Sequence, residues 1–576
     1  MFARKQLTIR QRIVRLIVAL VIVGIAYQVT NEFKARKVTK ESLMFQNPVL
    51  AGFYPDPSIC RVGNDYYLVN STFSYFPGVP VFHSTDLVNW TQLGYILDRP
   101  EQLNLDGLGV SRGVFAPAIS HHDSTFYMVT TLVDAGGNMV VTAKNPAGPW
   151  SNPVFLPDVQ GIDPSLFFDD NGKCFIIYNG EPPENKSLYN GHRALWMYEM
   201  DIQNLKTVGE KHLIVSGGTD ISKNPIWIEG PHIFKKDGYY YLIAAEGGTS
   251  FDHSEVVFRA KEITGPYENY SGNPILTQRH LDPKREHPVT CTGHADFVET
   301  QNGEWWAVFL GVRTYYQNHF NTGRETFMAP VRWVDGWPVI ASGNELVQYS
   351  YPVPDLPAAP PAPVPLNSNF TMKDDFDSEQ LSPIWMFLRT VRKDWYSLTR
   401  KKGLLCIQLR PEKISGSGNP SFIGRRQQHL NCKAIAAMNF TPEAKNETAG
   451  LIIFQNETHY YYLGKTVENG KPVVQVKNNS EVLAQKELTE DESAELLYLK
   501  IEARGKFYNF AYTTSPIKWT ALQDSVDATQ LSTEVAGGFV GCFFGMYASS
   551  QGAPSENCAE FDWFEYSGDD PTFAKK

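Results

Sequence analysis

The chain has 576 residues, enough for two or three domains with full cores. Charged residues make up 20% and hydrophobic residues 42%, ordinary globular values, and the formal net charge of -10 comes with no basic stripe, which argues against a nucleic-acid partner. Seven cysteines (Cys60, Cys174, Cys291, Cys406, Cys432, Cys542 and Cys558) show no CxxC spacing, which argues against a zinc site; Cys542 and Cys558 are a pair that a secreted protein could form. Aromatics, at 13%, suit a flat ligand such as a carbohydrate.

Residues 1–45 carry Arg4, Lys5, Arg10, Arg12 and Arg15 ahead of an apolar run over 16–27. This predicts a signal peptide or an uncleaved signal anchor with a stalk, hence a secreted or membrane-anchored protein that meets the membrane only through this segment. Nine Asn-x-Ser/Thr sequons, at Asn70, Asn89, Asn185, Asn269, Asn369, Asn439, Asn446, Asn456 and Asn478, lean toward a secretory route.

Residues 46–349 contain an echo repeated five times. Asp56-Pro57-Ser58-Ile59 leads through Gly63-Asn64-Asp65 to Tyr66-Tyr67-Leu68-Val69. The same short strand, polar turn and β-rich strand follow from Ala116-Pro117-Ala118-Ile119, Asp163-Pro164-Ser165-Leu166, Glu229-Gly230-Pro231-His232-Ile233 and Gly293-His294-Ala295-Asp296-Phe297. A hairpin unit recurring at roughly 50–65 residues predicts the blades of a β-propeller. Turns ending in Trp90, Trp150 and Tyr267 read as the outer edges of blades one, two and four. Residues 350–368 are Pro- and Ala-rich, a semi-rigid linker. Over 369–576 short, regularly spaced strands return without the echo, which predicts a β-sandwich.

The repeat heads carry Asp56, Ala116, Asp163, Glu229 and His294, and a propeller would gather them at one end of its axis. Three carboxylates crowded together repel one another and part their pKa values, which suits glycoside hydrolysis by one ionised and one protonated carboxyl. Asp56, short and stiffened by Pro57, suits a base that positions water; Glu229, one methylene longer, suits an acid; Asp163 would keep its neighbour protonated. His294 reads as an interior histidine, a ligand to an axial cation or water, or a substrate contact. Arg313 reads as a sugar contact or an ordinary salt bridge, Arg324-Glu325 as a structural ion pair, and Phe73, Phe76, Phe115 and Trp227 as a sugar floor or core packing.

These motifs resemble glycoside hydrolase family 43, the β-xylosidase and α-L-arabinofuranosidase group. The resemblance rests on the stretch from Asn47 through Tyr54-Pro55-Asp56-Pro57-Ser58, on Ser71-Thr72-Phe73-Ser74-Tyr75-Phe76-Pro77-Gly78 and Gly113-Val114-Phe115-Ala116-Pro117, and on Gly161-Ile162-Asp163-Pro164, Glu229-Gly230-Pro231-His232 and Gly323-Arg324-Glu325-Thr326-Phe327. It implies an all-β chain: a five-bladed propeller followed by a concanavalin-like sandwich. It also implies an inverting hydrolase with Asp56 as general base, Glu229 as general acid and Asp163 as pKa modulator. By the same resemblance Phe73, Phe115 and Arg313 contact substrate, Phe539 closes the pocket from the sandwich, and His294 is an axial histidine that in some members joins a calcium or water network; no cofactor is required. Phe115 stands where many members have Trp, and Thr314-Tyr315-Tyr316-Gln317-Asn318-His319 lacks the Arg-Pro of typical xylosidases. The expected activity is exo-acting release of a terminal pentose, foremost β-1,4-linked xylose from xylooligosaccharides or xylan. The alternatives are α-L-arabinofuranosidase action on arabinoxylan side chains, or a propeller that binds carbohydrate without catalysis.

Overall fold

The structure is a computed structural model and describes residues 43–515 and 518–573. The signal or anchor segment expected at the N-terminus lies outside these residues, and among the described residues no helix is long and apolar enough to cross a membrane.

Five antiparallel sheets form a propeller. Their innermost strands are Ser58–Val62, Ala118–His122, Ile162–Phe168, Glu229–Lys236 and Val289–Glu299, one in each of the five repeats. Each inner strand touches the next, and the fifth touches the first, so the ring is closed. The fifth blade has three strands, Val289–Glu299, Trp305–Arg313 and Glu325–Pro330. Leu50 and Thr326 then exchange backbone hydrogen bonds of 3.2 Å along its free edge, tying the start of the propeller to its end. The aromatics expected at the blade edges hold their own turns: Trp90 Nε1 donates to the Leu87 carbonyl at 2.8 Å, Trp150 Nε1 to Pro146 at 3.1 Å and the Tyr267 hydroxyl to Ile263 at 3.0 Å.

The C-terminal part is a sandwich of two eight-stranded sheets. One contains Asn431–Asn439, Leu497–Arg504 and Cys558–Gly568; the other contains Thr448–Asn456, His459–Glu468 and Phe543–Ser549. The second sheet ends in Tyr75–Phe76, a strand contributed by the propeller that pairs with Met386–Leu388. Phe76 therefore sits in the core between the domains, not in a sugar pocket. All seven cysteines are free, including Cys542 and Cys558.

Further bonds fix the two domains together. Arg426 Nε donates to the Phe53 carbonyl at 2.6 Å, and the Asn321 amide donates to the Tyr508 hydroxyl at 2.8 Å. At one place the backbones themselves meet. Gly323 has φ +77°, and a Cβ on it would lie 2.8 Å from Gly541 Cα; a Cβ on Gly541 would lie 2.6 Å from the Thr322 carbonyl oxygen. Only two glycines permit this approach.

Candidate active site

The blade heads share a backbone device. Asp56, Asp163, Gly230 and His294 have φ of 51°, 55°, 56° and 53°, the left-handed region. The ladders of blades three, four and five each shift register there, at Ile162/Ser165, Glu229/His232 and Gly293/Asp296. Such bulges turn a side chain from the ladder toward the axis, at a cost in strain that functional sites tolerate. They also correct the sequence alignment. The residue equivalent to Asp56, Asp163 and His294 is Gly230, and Glu229 precedes it by one. The side chain missing at Gly230 makes room for the His294 imidazole, whose Nε2 lies 2.8 Å from where a Cβ would stand.

Two residues further on, the chain stitches blades together. Asp296 accepts from the Ser58 hydroxyl at 2.8 Å and the Ile59 amide at 2.9 Å, and lies 3.5 Å from His232 Nδ1; the Ser165 hydroxyl donates to the Pro231 carbonyl at 2.5 Å. These bonds are structural, and they hold the preceding carboxylates in place.

A cavity of about 730 Å³ opens over the heads. Asp56, Asp163, Glu229, His294, Phe73, Phe115 and Phe539 all line it, as do Trp227 and Arg324. Asp56 Oδ2 accepts from the Ser71 hydroxyl at 2.6 Å and Oδ1 from Arg324 Nη1 at 2.7 Å. Burial pushes its carboxyl up, but Arg324, His294 and the Ser71 bond together outweigh it, and its pKa falls below the usual value. Asp163 moves the other way, to about 7: burial and the Asp56 charge raise it against the Gly230 N–H, donated at 3.1 Å, and Arg324. Glu229 is raised well above its ordinary value by burial, then by Asp163 and Asp56, against weaker opposition from Arg324 and Arg193. One carboxyl is thus held ionised and another protonated within one cavity. Burial takes His294 down to about 4, so it is neutral at pH 7.

Of the two readings of Arg313, the structure shows the salt bridge and not the sugar contact. Arg313 lies outside the cavity, 1% exposed, with Nε and Nη2 on Glu325 at 2.7 and 2.8 Å and Nη1 on Asp570 at 2.7 Å. It clamps the fifth blade to the end of the sandwich. The cavity arginine is Arg324, which in the sequence reads as paired with its neighbour Glu325; Arg324 stands just before the strand Glu325–Pro330, after the left-handed Gly323, and the two side chains part, Glu325 to Arg313 and Arg324 to Asp56. The signal available in the sequence was Gly323, whose conformation delivers Arg324 to the axis.

Phe539 comes from the sandwich. Its N–H donates to the Ser111 hydroxyl at 2.9 Å, and its ring stacks on Phe73 at 5.8 Å and meets Phe115 edge-on at 5.8 Å. Trp227, which the sequence offers as a sugar floor or core packing, lines the cavity; Arg193, for which the sequence gives no signal, lies 4.1 Å above its ring and pairs with Glu181. For a metal, among the described residues no three His, Cys, Asp or Glu side chains come together as a direct ligand set, and the axial hollow beside His294 measures only about 10 Å³. Calcium takes six to eight oxygen ligands, so this donor set does not fit directly bound calcium.

The fold and this arrangement define a propeller glycosidase. Residues 45–338 match the model of glycosyl hydrolases family 43, and residues 373–567 match the β-xylosidase C-terminal concanavalin A-like domain; the chain belongs to glycosyl hydrolase family 43. It is 43% identical to a xylosidase/arabinosidase of Butyrivibrio fibrisolvens, over 90% of this chain and 98% of that one. It is 39% identical to the non-reducing end α-L-arabinofuranosidase BoGH43B of Bacteroides ovatus, over 91% of this chain and 94% of that one. Among solved structures, the Bacteroides ovatus xyloglucan GH43B superposes with a TM-score of 0.81 at 39% identity, covering 91% of this chain and 99% of that one. A GH43_12 structure from a capybara gut metagenome gives 0.80 at 40% identity, covering 89% and 96%.

Proposed function

We propose that the chain removes single pentose residues from the non-reducing ends of plant-type oligosaccharides by inverting hydrolysis, with β-linked xylose as its first substrate. The observation that carries this reading is the opposite displacement of two buried carboxyls in one cavity: Asp56 toward the ionised form, Glu229 toward the protonated form. The Phe539 wall supplied by the sandwich favours a chain end over a polymer interior.

In this reading Asp56 accepts a proton from water as the water oxygen bonds to the anomeric carbon. The bond from that carbon to the leaving oxygen breaks, and the Glu229 proton passes to the leaving oxygen. Asp163, beside Glu229, raises its proton affinity. Arg324 keeps Asp56 ionised and fixes its orientation. An inverting site separates its two carboxyls by roughly 6.5–9.5 Å to admit the water.

A second reading, α-L-arabinofuranosidase, is favoured by the name of the Bacteroides ovatus relative. Turnover of paired p-nitrophenyl β-xyloside and α-L-arabinofuranoside decides between them: at least tenfold higher kcat/KM on the xyloside supports the first reading, the reverse the second. Proton NMR of β-xyloside hydrolysis should show the α-anomer as first product; the β-anomer first would refute inversion. We also propose export, carried by the basic and apolar N-terminal pattern; its check is recovery of the mature chain outside the cell.

A further inference from the structure

The sandwich holds a second cavity of about 220 Å³, sharing no lining residue with the one over the blade heads, on the outer face of the sheet that contains His459–Glu468. Two glycines shape it. Gly450 and Gly464 pair across adjacent strands, and a Cβ on Gly464 would lie 1.9 Å from the Tyr462 hydroxyl oxygen, so Tyr462 occupies the space a side chain would take. Tyr547 pairs with Gly450 on the other side and stands perpendicular to Tyr462, ring centroids 5.7 Å apart at 87°. These rings are pinned: the Tyr462 hydroxyl shares a 2.7 Å hydrogen bond with Thr448, and the Tyr547 hydroxyl accepts from the Ile414 amide at 3.1 Å. Tyr460 completes an aromatic lining.

The rest of the lining is cationic and hydrogen-bonding. Lys413, Lys445 and Lys477 face the cavity, together with Ser415, Asn479 and Ser480, and no carboxylate is among the lining residues. Among the described residues none of the three ammonium groups has an ion-pair partner. Lys477 is half-buried, placed opposite Tyr462 in the ladder, and feels only the more distant charge of Glu468. On a chain with net charge -10, three unpaired lysines around one hollow are a local excess that invites an anion. The tyrosines form a rigid, largely buried floor, and the hydroxyl and amide groups of Ser415, Asn479 and Ser480 around it suit the hydroxyls of a sugar.

We propose that this cavity is a second, non-catalytic carbohydrate site that takes an acidic sugar, a uronic acid residue whose carboxylate is held by Lys413, Lys445 and Lys477. It would retain an acid-decorated oligosaccharide while the propeller acts on a chain end. The inference stands whichever pentose the propeller removes.

The test uses the full, unglycosylated chain with Glu229→Gln to prevent turnover, titrated calorimetrically with a xylooligosaccharide bearing one glucuronosyl branch and with the unbranched oligosaccharide. The branched probe should fill one more site per chain than the neutral one. Lys413→Gln with Lys477→Gln should weaken that extra site at least tenfold, whereas Lys477→Arg should retain it. In a chain with Glu229 intact, Lys413→Gln with Lys477→Gln should leave kcat/KM on a small aryl pentoside unchanged, which shows that the variant is folded. Equal stoichiometry for the two probes, or an extra site indifferent to the lysine changes, would overturn the proposal. Inorganic phosphate displacing the branched probe at equal concentration would also overturn it, by reducing the site to a simple anion hollow.

Discussion

At the scale of single residues the site is a contest between burial and charge. Asp56 and Asp163 occupy equivalent left-handed positions in different blades, both buried, yet their proton affinities part because Arg324 Nη1 bonds Asp56 directly while Asp163 receives only an amide N–H. Replacing Arg324 by Gln should raise the Asp56 pKa and move the acidic limb of the kcat/KM profile to higher pH. Replacing Asp163 by Asn removes a negative neighbour of Glu229, lowers the Glu229 pKa and moves the basic limb to lower pH. A pH–rate series on one aryl glycoside checks both; an unmoved limb would remove that residue from its role. Glu229→Gln should cost about 10²–10⁴ in kcat on a sugar leaving group. The loss should be smaller on p-nitrophenyl glycosides, whose leaving oxygen needs less protonation. Asp163 also carries a stability signature. Its folded pKa, about 7, is above the unfolded value, so the folded chain binds the proton more tightly. That stabilisation is complete below about pH 4 and is lost as pH rises toward 7. Asp163→Asn should flatten this part of the urea-midpoint curve.

At the scale of elements, the recurrence of strand, polar turn and strand was enough to read five blades, because each repeat must bury the same faces and close the same hairpin. The register at the heads was not legible. Glu229-Gly230-Pro231 looks like Asp56-Pro57 shifted by one, and only the left-handed conformation at Gly230 shows which residue is equivalent. Arg324 was hidden for a related reason: its neighbour Glu325 offers an obvious partner in sequence, but the left-handed turn at Gly323, just before the strand begins at Glu325, parts the two side chains. Gly323 is the element on which this depends. Gly323→Ala would need φ near +77° and would press on Gly541. It should destabilise the chain by more than about 1 kcal/mol and lower kcat/KM by displacing Arg324 from Asp56. A variant with unchanged urea midpoint and activity would show that the close approach is not needed.

At the scale of the whole molecule, propeller and sandwich form one structural unit with a shared pocket. The linker composition suggested two domains, and nothing in it showed that Tyr75–Phe76 would leave the propeller to complete a sandwich sheet. The two arginines of the Gly311–Arg324 region separate what holds the halves together from what acts on substrate. Arg313 bonds Glu325, Asp570 and the Gln428 carbonyl across the domain boundary, wholly out of water. Arg313→Met would strand two buried carboxylates, a loss of about 3–5 kcal/mol, with kcat nearly intact in the fraction that remains folded. Arg324→Met also breaks a buried pair, with Asp56, and should lower the urea midpoint too, but it is set apart by a large loss of kcat/KM in the folded fraction, because its partner is the proposed base. If the Arg313 variant instead lost kcat while keeping its midpoint, the clamp would have to be reassigned to the reaction.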